Sequence, residues 1–232
     1  LMQIQVGTNI HEFKRQLKKV QRKQLPFAYQ EALNDTAFQA MRAAKKHMRE
    51  TFERPIVGYI PKGITVQKAV KNKNIDQMMA RVDLEDFGDK GQARRDIMKP
   101  HILGGTRRQK KAEHLFVGSG RYLYAGRDAP RNRYGNLHNA QIVKAISDIG
   151  RNTDAGQNTK RRKKKYFAIN TNKQRTIIMQ RNGNTATPFM VEGKKPQYRK
   201  RFKFYEVITK TARKNFPRNM TRNLRKAMKT AR

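Results

Sequence analysis

Apolar residues recur at spacings of three and four over two stretches near the beginning of the chain. Ile10, Phe13, Leu17 and Val20 trace one face behind a capping Asn9, which predicts a helix over residues 9–22 whose other face is Lys and Arg. Pro26 restarts the pattern. Phe27, Leu33, Ala37, Met41, Ala44, Met48 and Phe52 then form a stripe along a second helix ending near Pro55, a rod of about 38 Å at about 1.5 Å per residue. Ala40, Ala43 and Ala44 leave room for another element to approach closely, so the stripe reads as core in preference to a partner-binding groove.

From Ile56 the period shortens. Residues 63–69 and 78–84 alternate in the manner of strands around a polar stretch from Lys71 to Asp76, which predicts a hairpin. Further strands are expected over 165–170, 176–181 and 189–192, with Asn172-Lys173-Gln174 as the turn between the first two of these. The block from Asp89 to Thr159, rich in Gly, Arg and Asn, shows helical patterning only over 109–115 and 139–149 and reads as an insertion or docking arm. The chain closes on a helix pattern through Phe204, Val207, Ile208 and Ala212, with a bend at Pro217 and Met220, Leu224 and Met228 beyond it.

These elements predict an α+β fold: a long N-terminal helix pair on a small antiparallel sheet, a loop-rich insertion and a basic C-terminal helix. The expected organisation is one discontinuous domain, in which 1–88 hold the helices and first hairpin, 89–164 the insertion, and 165–232 the remaining strands and C-terminal helices.

Charge changes this picture from fold to partner. Lys and Arg number 54 against 17 Asp and Glu, a formal net charge of +37, and the excess runs through the patterned segments. A chain that repels itself so strongly is expected to work against a polyanion or a strongly acidic protein surface. No run approaches the length of a membrane span, and no signal-peptide pattern opens the sequence.

Candidate chemistry is sparse. The absence of cysteine excludes disulfides, thiolate metal sites and cysteine nucleophiles. His11, His47, His101, His114 and His138 are scattered without ligand spacing, Gly118-Ser119-Gly120 lacks the surroundings of a nucleophile elbow, and Gly104-Gly105-Thr106-Arg107 is not a phosphate-binding P-loop. Asp83, Glu85, Asp86 and Asp89 are dense enough for a divalent cation, but turn or salt-bridge acceptors is the preferred reading. No cofactor, no metal and no enzymatic activity are expected.

The basic runs remain. Lys160, Arg161, Arg162, Lys163, Lys164 and Lys165 are consecutive, and Arg199, Lys200 and Arg201 form a second cluster; both are candidate contacts to DNA or an acidic partner. Six cations that all met phosphates would give a log K against log salt slope near −5, with no sequence readout.

Three stretches resemble a family of tailed-bacteriophage tail proteins, the minor tail protein Z or tail-completion group: Lys99-Pro100-His101-Ile102-Leu103-Gly104-Gly105-Thr106-Arg107, then Tyr134-Gly135-Asn136-Leu137 with Gln141-Ile142-Val143, and finally Lys195 through Phe204. The N-terminal helices and the Ala- and Arg-rich end fit the same pattern. The resemblance implies a noncatalytic virion component at the head-to-tail junction, a homo-oligomeric ring around the genome path, with other tail, neck or connector subunits as partners. In that reading Tyr198, Phe202, Phe204, Pro100 and His101 are subunit-docking anchors. The alternatives are a nucleic-acid-binding or packaging protein that forms no ring, and a metal-dependent nuclease built on the acidic cluster.

Overall fold

The computed structural model describes residues 24–52, 59–72, 74–85, 93–151, 154, 156, 158, 164–172 and 174–229. The helix expected over 9–22, Asp86, Asp89 and the run from Lys160 to Lys163 lie outside them. The fold is α+β, with a long helix near the beginning of the chain, small antiparallel sheets and a C-terminal helix. Two compact units share it, one from the chain up to Leu103 together with Lys200 onward, the other from Gly104 to Arg199.

The first unit is organised by α1 (Gln24–Thr51) and α6 (Phe204–Lys229). Pro26 falls in the opening turn of α1, where its missing N–H costs no helical hydrogen bond. Ala28, Tyr29, Ala32, Leu33, Thr36, Ala37, Ala40, Ala44 and Met48 form its buried stripe, and the alanines admit α6 at short range. Phe27, expected in that stripe, is 39% exposed, and Met41 is only partly buried. The helices run antiparallel, with His47 beside Phe202, Thr36 against Asn219 and Asp35 against Arg222. Helix α6 continues through Pro217 where a bend was expected. The position is exposed, so water can serve the Arg213 carbonyl that proline leaves without its helical donor.

The short helix α2 (Tyr59–Lys62) leads into the expected hairpin of β1 (Ile64–Gln67) and β2 (Arg81–Leu84), paired from Ile64–Leu84 to Gln67–Arg81. Its connection is tied to α1 by Ala69, whose N–H donates to Asn34 Oδ1 at 2.8 Å and whose carbonyl accepts from Gln30 Nε2 at 3.1 Å. Helix α3 (Arg94–Leu103) completes the unit by burying Met98, Pro100 and Ile102.

The second unit has its own core. A four-stranded antiparallel sheet runs in the order β3 (Tyr122–Ala125), β6 (Thr185–Gly193), β5 (Thr176–Asn182), β4 (Tyr166–Asn170). Helices α4 (Lys111–Val117) and α5 (Asn139–Ile149) supply Phe116, Val117, Ala145 and Ile146 to a cluster with Tyr166, Ile178 and Phe189. The β5–β6 hairpin turns at Gly183, whose φ of +62° suits the first residue of a tight two-residue loop. Gly126 ends β3 so close to β6 that an added Cβ would lie 1.9 Å from the Pro188 carbonyl oxygen.

The expected single domain is thereby corrected. The units meet along the chain at Leu103/Gly104 and Arg199/Lys200, away from the expected divisions at 88 and 164, and β4, β5 and β6 do not share a sheet with the first hairpin. Their sheet is completed instead by β3, paired with β6, from the middle of the supposed insertion, whose described residues from Gly104 on fold as part of a second core while α3 belongs to the first.

Candidate functional site

Phe202 and Phe204 have no exposed surface. Phe202 stacks on His47 at 5.7 Å between ring centroids and lies 5.7 Å from Phe204, while Pro100 is buried within α3. The His101 carbonyl accepts the N–H groups of Arg201 and Phe202, both at 2.9 Å, and its ring meets Phe52 edge-on at 5.0 Å. Burial, reinforced by the Arg201 charge, pushes the His101 imidazole below its ordinary value. The proposed docking role of Phe202, Phe204 and Pro100 is therefore corrected: they anchor α3 and the entry to α6 inside their own unit. An apolar period between cations reads the same whether its apolar side faces the chain's own helix or another subunit. In the second unit Tyr198, half-buried, exchanges backbone hydrogen bonds with Gly105 at 2.7 and 3.0 Å.

Among the candidate cations that are described, Lys200 and Arg201 are engaged within their own unit. Lys200 pairs with Glu206 at 3.0 Å. Arg201 donates to the Thr51 carbonyl at 3.1 Å and lies over Phe52, whereas Arg199 is exposed. From the consecutive basic run, Lys164 is half-buried, and the backbone N–H of Lys165 donates to the buried Asp148 at 3.0 Å, with that of Tyr166 doing the same at 3.1 Å. Asp148 thus ties the end of α5 to the entry of β4. Of the acidic cluster, Glu85 pairs with Arg94 and Asp83 sits in β2 opposite Thr65. Among the described residues no three His, Asp or Glu side chains form a group able to hold a metal ion.

Helix α6 presents a surface that was not singled out residue by residue. Its bounds enclose eight basic residues and one acid, Glu206, in the first turn. Lys210, Arg213, Lys214, Arg218, Arg225 and Lys229 are exposed. Arg222 is also exposed and reaches Asp35 at 2.7 Å, and Asn223 donates to the same Asp35 oxygen at 2.7 Å, which fixes the edge of this face against α1. The signal was available in the spacing of 210, 214, 218, 222, 225 and 229, which lines up along one side of a helix.

A cleft of about 900 Å³ opens within the second unit, with His114, Arg121, Arg151, Arg175 and Glu192 in its lining. Both carboxylate oxygens of Glu192 are gripped by the Arg121 guanidinium, one at 2.7 Å, and the Thr176 N–H adds a third bond at 2.9 Å. Burial alone would raise the Glu192 carboxyl, but Arg121 and the Thr176 amide outweigh it and hold the group below the ordinary carboxylate range. Arg121 also donates to the Gln174 carbonyl at 3.0 Å, so its fork is spent on holding the cleft together.

No protein family, curated protein or solved structure matches the chain.

Proposed function

We propose that the chain is a noncatalytic structural protein of a tailed bacteriophage, a tail-completion or head-to-tail joining subunit that assembles in several copies around the DNA path. The resemblance carried by 99–107, 134–143 and 195–204 is the ground for the family. The observation that carries the reading further is the use made of the first and last of these stretches. They span the two places where the chain passes from one compact unit to the other, and backbone bonds hold them together in each unit, His101 with Arg201 and Phe202 in one, Gly105 with Tyr198 in the other. Stretches so used are architectural, in keeping with a role in assembly.

The excess of cations supports the same reading, because a subunit that lines a genome path or meets acidic walls needs such a surface and a free one is burdened by it. Synthesis in the host cytoplasm and residence in the virion belong to this proposal. Among the described residues no helix is long and apolar enough to cross a membrane.

The test is a stop codon in the gene within an otherwise intact phage genome, with the lysate examined by electron microscopy. Filled heads and separate tails are expected, and normal joined, infectious particles would overturn the proposal. The second reading, a nucleic-acid-binding protein that builds no ring, is favoured by the cationic face of α6. A chain absent from purified particles but recovered on intracellular DNA would select it.

A further inference from the structure

We infer that the exposed face of α6 is a phosphate-backbone contact surface for duplex DNA, and that it binds without regard to sequence. From Lys210 to Lys229 the helix rises about 28 Å at about 1.5 Å per residue. Over that length it carries eight cations, and no acid follows Glu206 within it. Duplex DNA carries about one negative charge per 1.7 Å of axis, so a helix laid against the backbone meets phosphates throughout its length. The opposite face is committed to the core through Ile208, Ala212, Phe216, Met220 and Leu224, which fixes the cations outward.

The same surface argues against an acidic protein as its occupant. Protein interfaces are built around a desolvated centre enriched in aromatic and large apolar side chains and depleted of charge. The only large apolar side chain exposed among the described residues of α6 is Met228, in the last turn, 54% exposed. The middle of the face is cationic, with Pro217 and Thr221 between the charges. A strongly positive face with no exposed aromatic or large aliphatic side chain at its centre matches the make-up of nucleic-acid interfaces. Nor does the face offer a means of reading bases. Long flexible cations spread evenly along a helix, without Asn or Gln among the exposed side chains of its second half, favour phosphates over base edges.

This surface differs from the two basic clusters, 160–165 and 199–201, that the sequence alone offers as contacts to DNA or an acidic partner. It rests on the reading of the chain as facing a polyanion, but its test uses purified full-length protein and does not ask where the protein resides in a particle. Failure of the binding test and failure of the virion assignment are therefore separable.

The experiment is anisotropy of a short labelled duplex of arbitrary sequence across a salt series. One variant replaces Lys210, Arg213, Lys214, Arg218 and Arg225 with Gln, leaving Arg222 and its partner Asp35 in place. A second, charge-matched variant replaces Lys111, Arg127, Arg175, Lys194 and Lys195 with Gln, all exposed in the second unit. A third replaces 160–165 with Ser. The first variant is expected to lower the log K against log salt slope by about 3 to 4, because each lost phosphate contact removes about 0.9. The charge-matched variant should lose less than half as much. An equal loss in both, or a loss confined to the third variant, overturns the inference. So does displacement of the duplex by polyglutamate as readily as by unlabelled duplex of equal charge, or a marked preference for one duplex sequence. Melting temperatures establish that each variant folds, and Arg213→Gln with Arg218→Gln alone reads the same slope if the larger change does not.

Discussion

Asn219 places a side-chain amide in the seam between α1 and α6, donating to Thr36 Oγ1 at 2.9 Å and to Gln39 Oε1 at 3.0 Å. With 3% of its surface exposed it exerts its effect inside the core, and it fixes how far the two helices slide past each other. Asn219→Ala removes both bonds across the seam, although Thr36 keeps its bond to the Ala32 carbonyl, and is expected to cost about 1 to 2 kcal/mol in a denaturant titration, whereas an unchanged midpoint would show that the seam tolerates slippage. Phe202→Ala removes a fully buried ring and is expected to cost about 3 to 5 kcal/mol. A variant with wild-type stability but unjoined particles would return Phe202 to a docking role. At this scale the apolar character of Phe202 and Phe204 was legible in the sequence, but the surface they face was not, since both readings use the same spacing. Asn219 gave no signal, because its meaning depends on Thr36 and Gln39 in a helix far away along the chain.

Element by element, the long helices and the first hairpin were readable because their periods persist over several turns or alternate cleanly. Helix α3 and strand β3 were not. Helix α3 opens on Arg94, Arg95 and Asp96 and contains Pro100, so its apolar stripe is brief and its proline signals a break. Strand β3 is short and finds its partner, β6, much later in the sequence. What holds β3 to α4 is Glu113, a buried carboxylate that accepts from Arg107 at 2.7 Å, from the Lys110 N–H at 2.8 Å and from the Leu123 N–H at 3.2 Å. Burial alone would raise this carboxyl, and the Arg107 guanidinium with the two amides outweighs it, so the folded value lies below the ordinary one. A depressed folded value contributes stability that is complete above the unfolded carboxylate value of about 4.3 and is lost as pH falls through the folded value. Glu192 acts with the same sign. Glu113→Gln is therefore expected to lower the melting temperature at neutral pH, by leaving Arg107 without its partner, and to shrink the further loss between neutral and strongly acid pH. A variant whose acid loss equals that of the wild type would assign the sensitivity to other carboxylates.

For the molecule as a whole, a net charge of +37 raises the question of a polyanionic partner without locating the contact. The densest run in sequence, 160–165, drew attention because adjacent cations are conspicuous when written in a line. A helix distributes its cations at every third or fourth position, so Lys210, Lys214, Arg218 and Lys229 share an exposed side without standing together in the written sequence. The division into two units escaped the sequence for a related reason: each unit is assembled from segments whose partners lie elsewhere along the chain, and neither 88 nor 164 coincides with a division between the units. The central claim, residence at the head-to-tail junction, is tested most directly by imaging purified virions of the phage that encodes the chain, with a label attached after Arg232. Density in a ring at the neck is the predicted result, and particles that carry no label, or carry it only at the distal tail, would contradict it.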